Sequence, residues 1–171
     1  MRQEDFHELF TNPGQISEKI RQWQKKRIIK SHPPEHSVVL GHLQKSSHNL
    51  QFVNDVRKLG YADWAITGCY YALYHAALAL IVKKGFMSKS HDATLLLLIR
   101  HYYRKGITEQ DINLANILYF THQEMTFYLD ARIKREKASY SSSWIFDAGL
   151  VSSMQKETIA FIDKAKQILK P

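Results

Sequence analysis

Apolar positions recur at helical spacing along most of this chain, and one stretch is apolar nearly all round. From Trp64 to Val82 there is no Asp, Glu, Lys or Arg. Small residues run through it at alternating three- and four-residue steps, at Ala62, Ala65, Cys69, Ala72, Ala76 and Ala79. Positions three and four apart stack on one face of an α-helix, so these residues form a seam that lets another backbone come close. Ile66, Tyr70, Leu73, Ala77 and Leu80 flank the seam on one side, and Tyr71, Tyr74, Leu78 and Ile81 on the other. A helix of this kind is the buried spine of a bundle or a membrane span. Thr67, Gly68, His75 and the tyrosines favour the spine, because spans are dominated by Leu, Ile and Val. Met1 to Phe10 is charged and has no apolar core of the kind a secretory signal carries.

The remaining pattern predicts helices and no strand. A short helix over Gln3 to Phe10 stops at Asn12-Pro13-Gly14, a turn signal. A helix over 15–30 ends in the basic run Lys25-Lys26-Arg27, and Pro33-Pro34 must break it. Residues 1–35 therefore read as an N-terminal helical extension, and 36–171 as the bundle. Val39, Leu43, Leu50 and Val53 mark the buried stripe of a helix reaching Leu59 and stopping at Gly60. The spine follows from Tyr61 to Lys84, closed by Gly85. Phe86 to Ser90 reads as a connector, and a shorter helix follows over His91 to Arg104. Thr108 with Asp111 three residues on resembles a capping box. It opens a long helix, with Leu114, Leu118, Met125, Leu129 and Ile133 in phase, that fades near Ala138. Val151, Met154, Ile162, Ala165 and Leu169 mark the last helix. The fold class is all-α: an up-and-down four-helix bundle with one short extra helix and the N-terminal helical extension.

Composition adjusts this picture in three ways. A chain of 171 residues suits one domain with a sizeable core. The lone Cys69 cannot form an internal disulfide, which points to a reducing, cytoplasmic setting, and the polar residues of the spine leave no membrane partner expected. The formal charge of +8 favours an anionic partner, nucleic acid being the usual one. Nine histidines raise a metal question, but no zinc-ligand spacing occurs: His32 and His36 are separated by two prolines, and there is no H-E-x-x-H. No P-loop, G-x-G-x-x-G or G-x-S-x-G is present either, so no metal and no cofactor is expected.

The chemistry concentrates at the end of the long helix, in Asp130-Ala-Arg132-Ile-Lys134-Arg135-Glu136-Lys137-Ala-Ser139-Tyr140. Cations there complement the helix dipole. They also place Arg132, Arg135 and Lys137 as phosphate-binding candidates, with the Tyr140 phenol flanking the exit. His75, on the spine, is expected to hydrogen-bond a neighbouring helix. His91, at a helix start after Ser88-Lys89-Ser90, is placed to cap, to pack or to face a ligand.

Three patches resemble the HEPN family of small helical proteins. Tyr61-Ala-Asp-Trp-Ala-Ile-Thr-Gly-Cys-Tyr-Tyr-Ala-Leu-Tyr-His-Ala-Ala is similar to the family's A-Y-Y-A-M-F-H-A-A helix. Lys84-Gly85 and Ser88-Lys89-Ser90-His91 resemble its K-G and K-T-H segments. Arg135-Glu136-Lys137-Ala138-Ser139-Tyr140 resembles the R-E-x-A-D-Y ending of one prokaryotic branch. The resemblance covers about residues 41–169. It implies a helical bundle that often dimerises, and in many members a metal-independent endoribonuclease, frequently a toxin encoded beside a nucleotidyltransferase-like antitoxin. Those members carry R-x4-6-H; here Glu136 replaces the usual polar neighbour and Tyr140 stands where the histidine would be. Metal-free RNA cleavage needs a base near neutral pKa and a cation for the phosphate. Arg135 supplies the cation, whereas a free tyrosine titrates near about 10 and is a poor base. The expectation is a homodimeric module binding RNA or nucleotide phosphate, with Arg135 and Tyr140 as its central pair and His75 and His91 in support. The alternatives are an endoribonuclease using Arg135 with Tyr140 or His91, and a non-catalytic protein-interaction module.

Overall fold

The computed structural model describes residues 9–134 and 148–170, with the side chains of 124–134 and of 148 outside that description. The elements are α1 (Pro13–Lys25), β1 (Ile29–Ser31), α2 (His36–Lys58), α3 (Ala62–Lys83), β2 (Phe86–Ser88), α4 (His91–Tyr102), α5 (Glu109–Lys134) and α6 (Ala148–Leu169). The four long helices and the shorter α4 fall where the apolar periodicity places them.

The spine is α3. Of the seam read from the sequence, Ala65, Cys69, Ala72, Ala76 and Ala79 are fully buried and Ala62, at the first turn, is partly buried. Close approach is visible where the Ser46 hydroxyl of α2 donates to the Ala72 carbonyl at 2.7 Å. It is closer still at Gly68, where an added Cβ would lie 2.6 Å from Val53 Cγ2 and 3.1 Å from Phe52 Cδ1. Length and composition alone would let Ala62–Lys83 cross a membrane, but 72% of its apolar window is buried inside the protein. It is the core of this bundle.

Contacts along the spine fix the helix directions. The start of α2 meets the end of α3, with Val39 packed beside Ala79 and Val82, while Phe52 reaches back to Gly68. On α5, His122 reaches Tyr70 and Tyr71 of α3. Lys164 near the end of α6 holds Asp111 at the start of α5, both oxygens at 2.8 Å. The order is up-and-down, with α4 inserted between α3 and α5 and tied to the spine by Tyr102, whose hydroxyl donates to the Leu80 carbonyl at 2.8 Å. Asn54 and Arg57 of α2 both bond Gln155 of α6.

Helix boundaries follow local chemistry. Asn12 caps α1 by accepting from the Gln15 amide at 3.2 Å, with Pro13 in the first turn. Ser90 caps α4 by accepting from the Ala93 amide at 3.1 Å. The Thr108–Asp111 box forms in both directions: the Thr108 amide and hydroxyl donate to Asp111 Oδ2 at 2.8 and 2.7 Å, and the Asp111 amide donates to the Thr108 hydroxyl at 3.3 Å.

Two features of the N-terminal reading are corrected. The helix expected over 15–30 ends at Lys25, because Arg27 turns left-handed (φ 56°) and redirects the chain. The chain also contains strands: β1 pairs antiparallel with β2, Ile29 opposite Ser88 and Ser31 opposite Phe86. Gly85, at φ 82°, makes the turn out of α3 that lets β2 come back to β1. Leu9, Ile16 and Ile29 are buried in the same core as the spine, so residues 9–31 pack into the bundle. The expected helix over Gln3 to Phe10 falls largely outside the described residues.

Candidate functional site

α5 carries the polar ending. It is anchored at its start by the capping box and by Lys164, and its described backbone is helical through Arg132 to Lys134. Arg135, Lys137 and Tyr140 lie outside the described residues, as does the Arg132 side chain, and so does the expected fading of the helix near Ala138.

His91 is the first residue of α4 and packs rather than caps, the capping being done by Ser90. Its ring is 7% exposed and lies flat on Tyr119 of α5, with centroids 4.0 Å apart and planes 7° from parallel. Neither ring nitrogen has a hydrogen-bond partner among the described residues. Burial is the main cause that pulls its pKa down from 6.5 to about 4, so at neutral pH it is an uncharged ring in an aromatic wall.

That wall continues across the spine. Tyr70 stands 5.9 Å and Tyr74 6.2 Å from His91, ring centre to ring centre. His122 of α5 stacks on Tyr70 at 4.8 Å and meets the edge of Tyr71 at 5.2 Å. Burial lowers the His122 pKa and raises those of Tyr70 and Tyr74, which keeps all of them neutral. Sequence reasoning missed His122, Tyr119 and the role of Tyr70 as the ring between two histidines. The available signal was weak: Tyr119 and His122 are three apart on one face of α5.

His75 sits in a different group. As expected, it meets a neighbouring helix: its Nδ1 is 3.1 Å from Nδ1 of His42 on α2, so with both rings neutral one donates and the other accepts. Burial, then His42, then Lys45 lower the His75 pKa to about 4. The structure thus brings His91 to Tyr119 and His75 to His42, and does not join the two histidines in one cluster.

Cys69 is a buried thiol in contact with Thr158, and burial pushes its pKa up to about 11, so it is an inert core residue. Among the described residues no three His, Cys, Asp or Glu side chains gather as metal ligands would.

A comparison with curated proteins returns no significant match. A family model, described as HEPN domain, matches residues 39–169. That span takes in all of α3, α4, α5 and α6 and nearly all of α2, together with the Arg135-to-Tyr140 ending. The chain belongs to the HEPN domain family.

Proposed function

We propose that this HEPN bundle binds RNA or nucleotide phosphate at the end of α5. Arg135 contacts phosphate, Arg132 and Lys137 add positive charge, and Tyr140 positions or stacks on a base. The observation that carries this reading is the family match running through residue 169, so that the Arg135-to-Tyr140 ending belongs to the matched domain and not to a tail. The chain's charge of +8 suits a polyanion. In this reading the protein works as a cytoplasmic homodimer, and as a toxin-antitoxin component its partner is a nucleotidyltransferase-like antitoxin.

Binding is favoured over cleavage by the state of the histidines. A general base works best with a pKa near the operating pH. His75 and His91 sit near 4, and Tyr140 is a residue type that titrates far above neutrality.

Labelled RNA and ATP titrated against wild type and Arg135→Ala test the assignment. A lost charge-assisted contact of about 1.5–3 kcal/mol weakens binding roughly ten- to a hundredfold. Equal affinity in both proteins, or no binding by either, removes Arg135 from the role.

A further inference from the structure

We propose that the opposite end of the bundle, where the β-ribbon meets the exits of α1, α3 and α4, is a second contact surface for the phosphate backbone of single-stranded RNA. The inference takes its ligand class from the function proposed above but rests on different residues. Arg27 precedes β1 and Lys30 lies within it, Lys84 caps the end of α3, Lys89 follows β2, and Arg100 and Lys105 bracket the end of α4; all six are exposed. None of them makes an ion pair with the described residues. Sequence separation hides their arrangement: the ribbon runs along α4 from its entry, beside Lys89, to its exit, beside Arg100, and three contacts reveal it. The ribbon pairs Lys30 with Met87, the Lys89 amide donates to the Ile28 carbonyl at 3.2 Å, and the Phe86 ring lies 5.2 Å from that of His101 on α4. His101 responds to the assembled field: after burial, Lys84, Arg100 and Lys105 all hold its pKa down.

Backbone conformation supports the same reading. The described non-glycine residues with positive φ are Arg27 (56°) and Arg104 (60°), both at this end. Glycine would adopt that conformation at lower cost, so the chain keeps a cation at each turn against local preference. Arg27 and Lys30 line a groove of about 430 Å³, and Tyr103 and Arg104 line another of about 470 Å³. Half-exposed rings lie among the charges, with Phe86 beside His101 and the Arg104 guanidinium 5.2 Å over Tyr103. Cations interleaved with rings suit a single-stranded nucleic acid, whose bases stack while its phosphates pair. An acidic peptide would use the charges and leave the rings idle. The 26 residues of α5 put its far end about 39 Å from Glu109, which lines the Arg104 groove, so the two sites contact separate parts of one strand.

The test is the salt dependence of oligouridine binding, followed by fluorescence anisotropy in wild type, in Lys30→Gln/Lys89→Gln/Arg100→Gln, and in a control with equal charge removed elsewhere, Lys45→Gln/Lys58→Gln/Lys156→Gln. Thermal melts check that each variant is folded. Each phosphate contact contributes about 0.7 to the slope of log affinity against log salt for a single strand, so the ribbon-end variant should lose about 2 from the slope and the control little. An unchanged slope in the ribbon-end variant, or equal losses in both, overturns the proposal. Competition by polyglutamate as strong as by unlabelled oligouridine also overturns it, assigning the surface to an acidic protein. Arg135→Ala separates the two proposals: if it leaves binding intact while the ribbon-end variant does not, this surface stands and the α5 site falls. The reverse result removes this surface alone.

Discussion

His91 shows how little of a histidine's usual chemistry survives burial. Its ring is sandwiched into an aromatic wall, and its folded pKa of about 4 lies below the unfolded value of 6.5. Such a group contributes its full stability above pH 6.5. As pH falls from 6.5 towards 4 the unfolded chain takes up a proton the folded one refuses, and that stability is lost. A shift of this size corresponds to roughly 3 kcal/mol. Half-buried His75, lowered in the same direction, adds to the trend by less because solvent screens it. Urea midpoints measured across this range should fall with pH, and His91→Phe, which keeps the stacked ring without a titrating nitrogen, should flatten the fall. A midpoint independent of pH in wild type would mean that His91 is solvated. The residue-level site was only partly legible in the sequence. Tyr71 and His122 meet across a separation of 51 positions, and no local pattern carries such a pairing.

At the scale of elements, the spine was legible because its cause is local. Small residues at helical spacing have one physical use, a close helix contact, and that is where Ser46 and Val53 of α2 arrive. The capping box was legible for the same reason. The ribbon was not: three residues per strand are too few to show a period of two, and no Gly, Pro, Asn or Asp separates Ile28-Ile29 from α1. Two glycines give a direct check on close packing. Alanine normally stabilises a helix interior by about 1 kcal/mol over glycine. At Gly41 nothing lies within 4 Å of an added Cβ, so Gly41→Ala should gain roughly that amount. At Gly68 the new methyl meets fully buried Val53, and Gly68→Ala should lose about 1–3 kcal/mol. Equal effects at both positions, read from chemical denaturation, would contradict the packing of α2 on α3.

For the whole molecule, the order of helices and the family were readable because two of the HEPN-like patches sit on the spine and at the start of α4, and the third follows α5 in the sequence within the matched span. The extension was harder to read. Its burial of Leu9, Ile16 and Ile29 in the common core depends on tertiary contacts that its own sequence does not announce. Charge was readable as a total and not as a distribution. A net +8 says that an anion is favoured, and only the fold shows Lys30 and Lys89 on one ribbon, with Lys84 and Arg100 around His101 beside it. With His75 and His91 held well below neutrality by burial, the proposed function is to hold RNA without cutting it. The most direct test is to incubate wild-type protein with labelled single-stranded RNA in EDTA, and to measure bound fraction and RNA length in the same samples. Saturable binding with the RNA recovered intact is the predicted result. Shortened RNA, or full-length RNA that never binds, would contradict it.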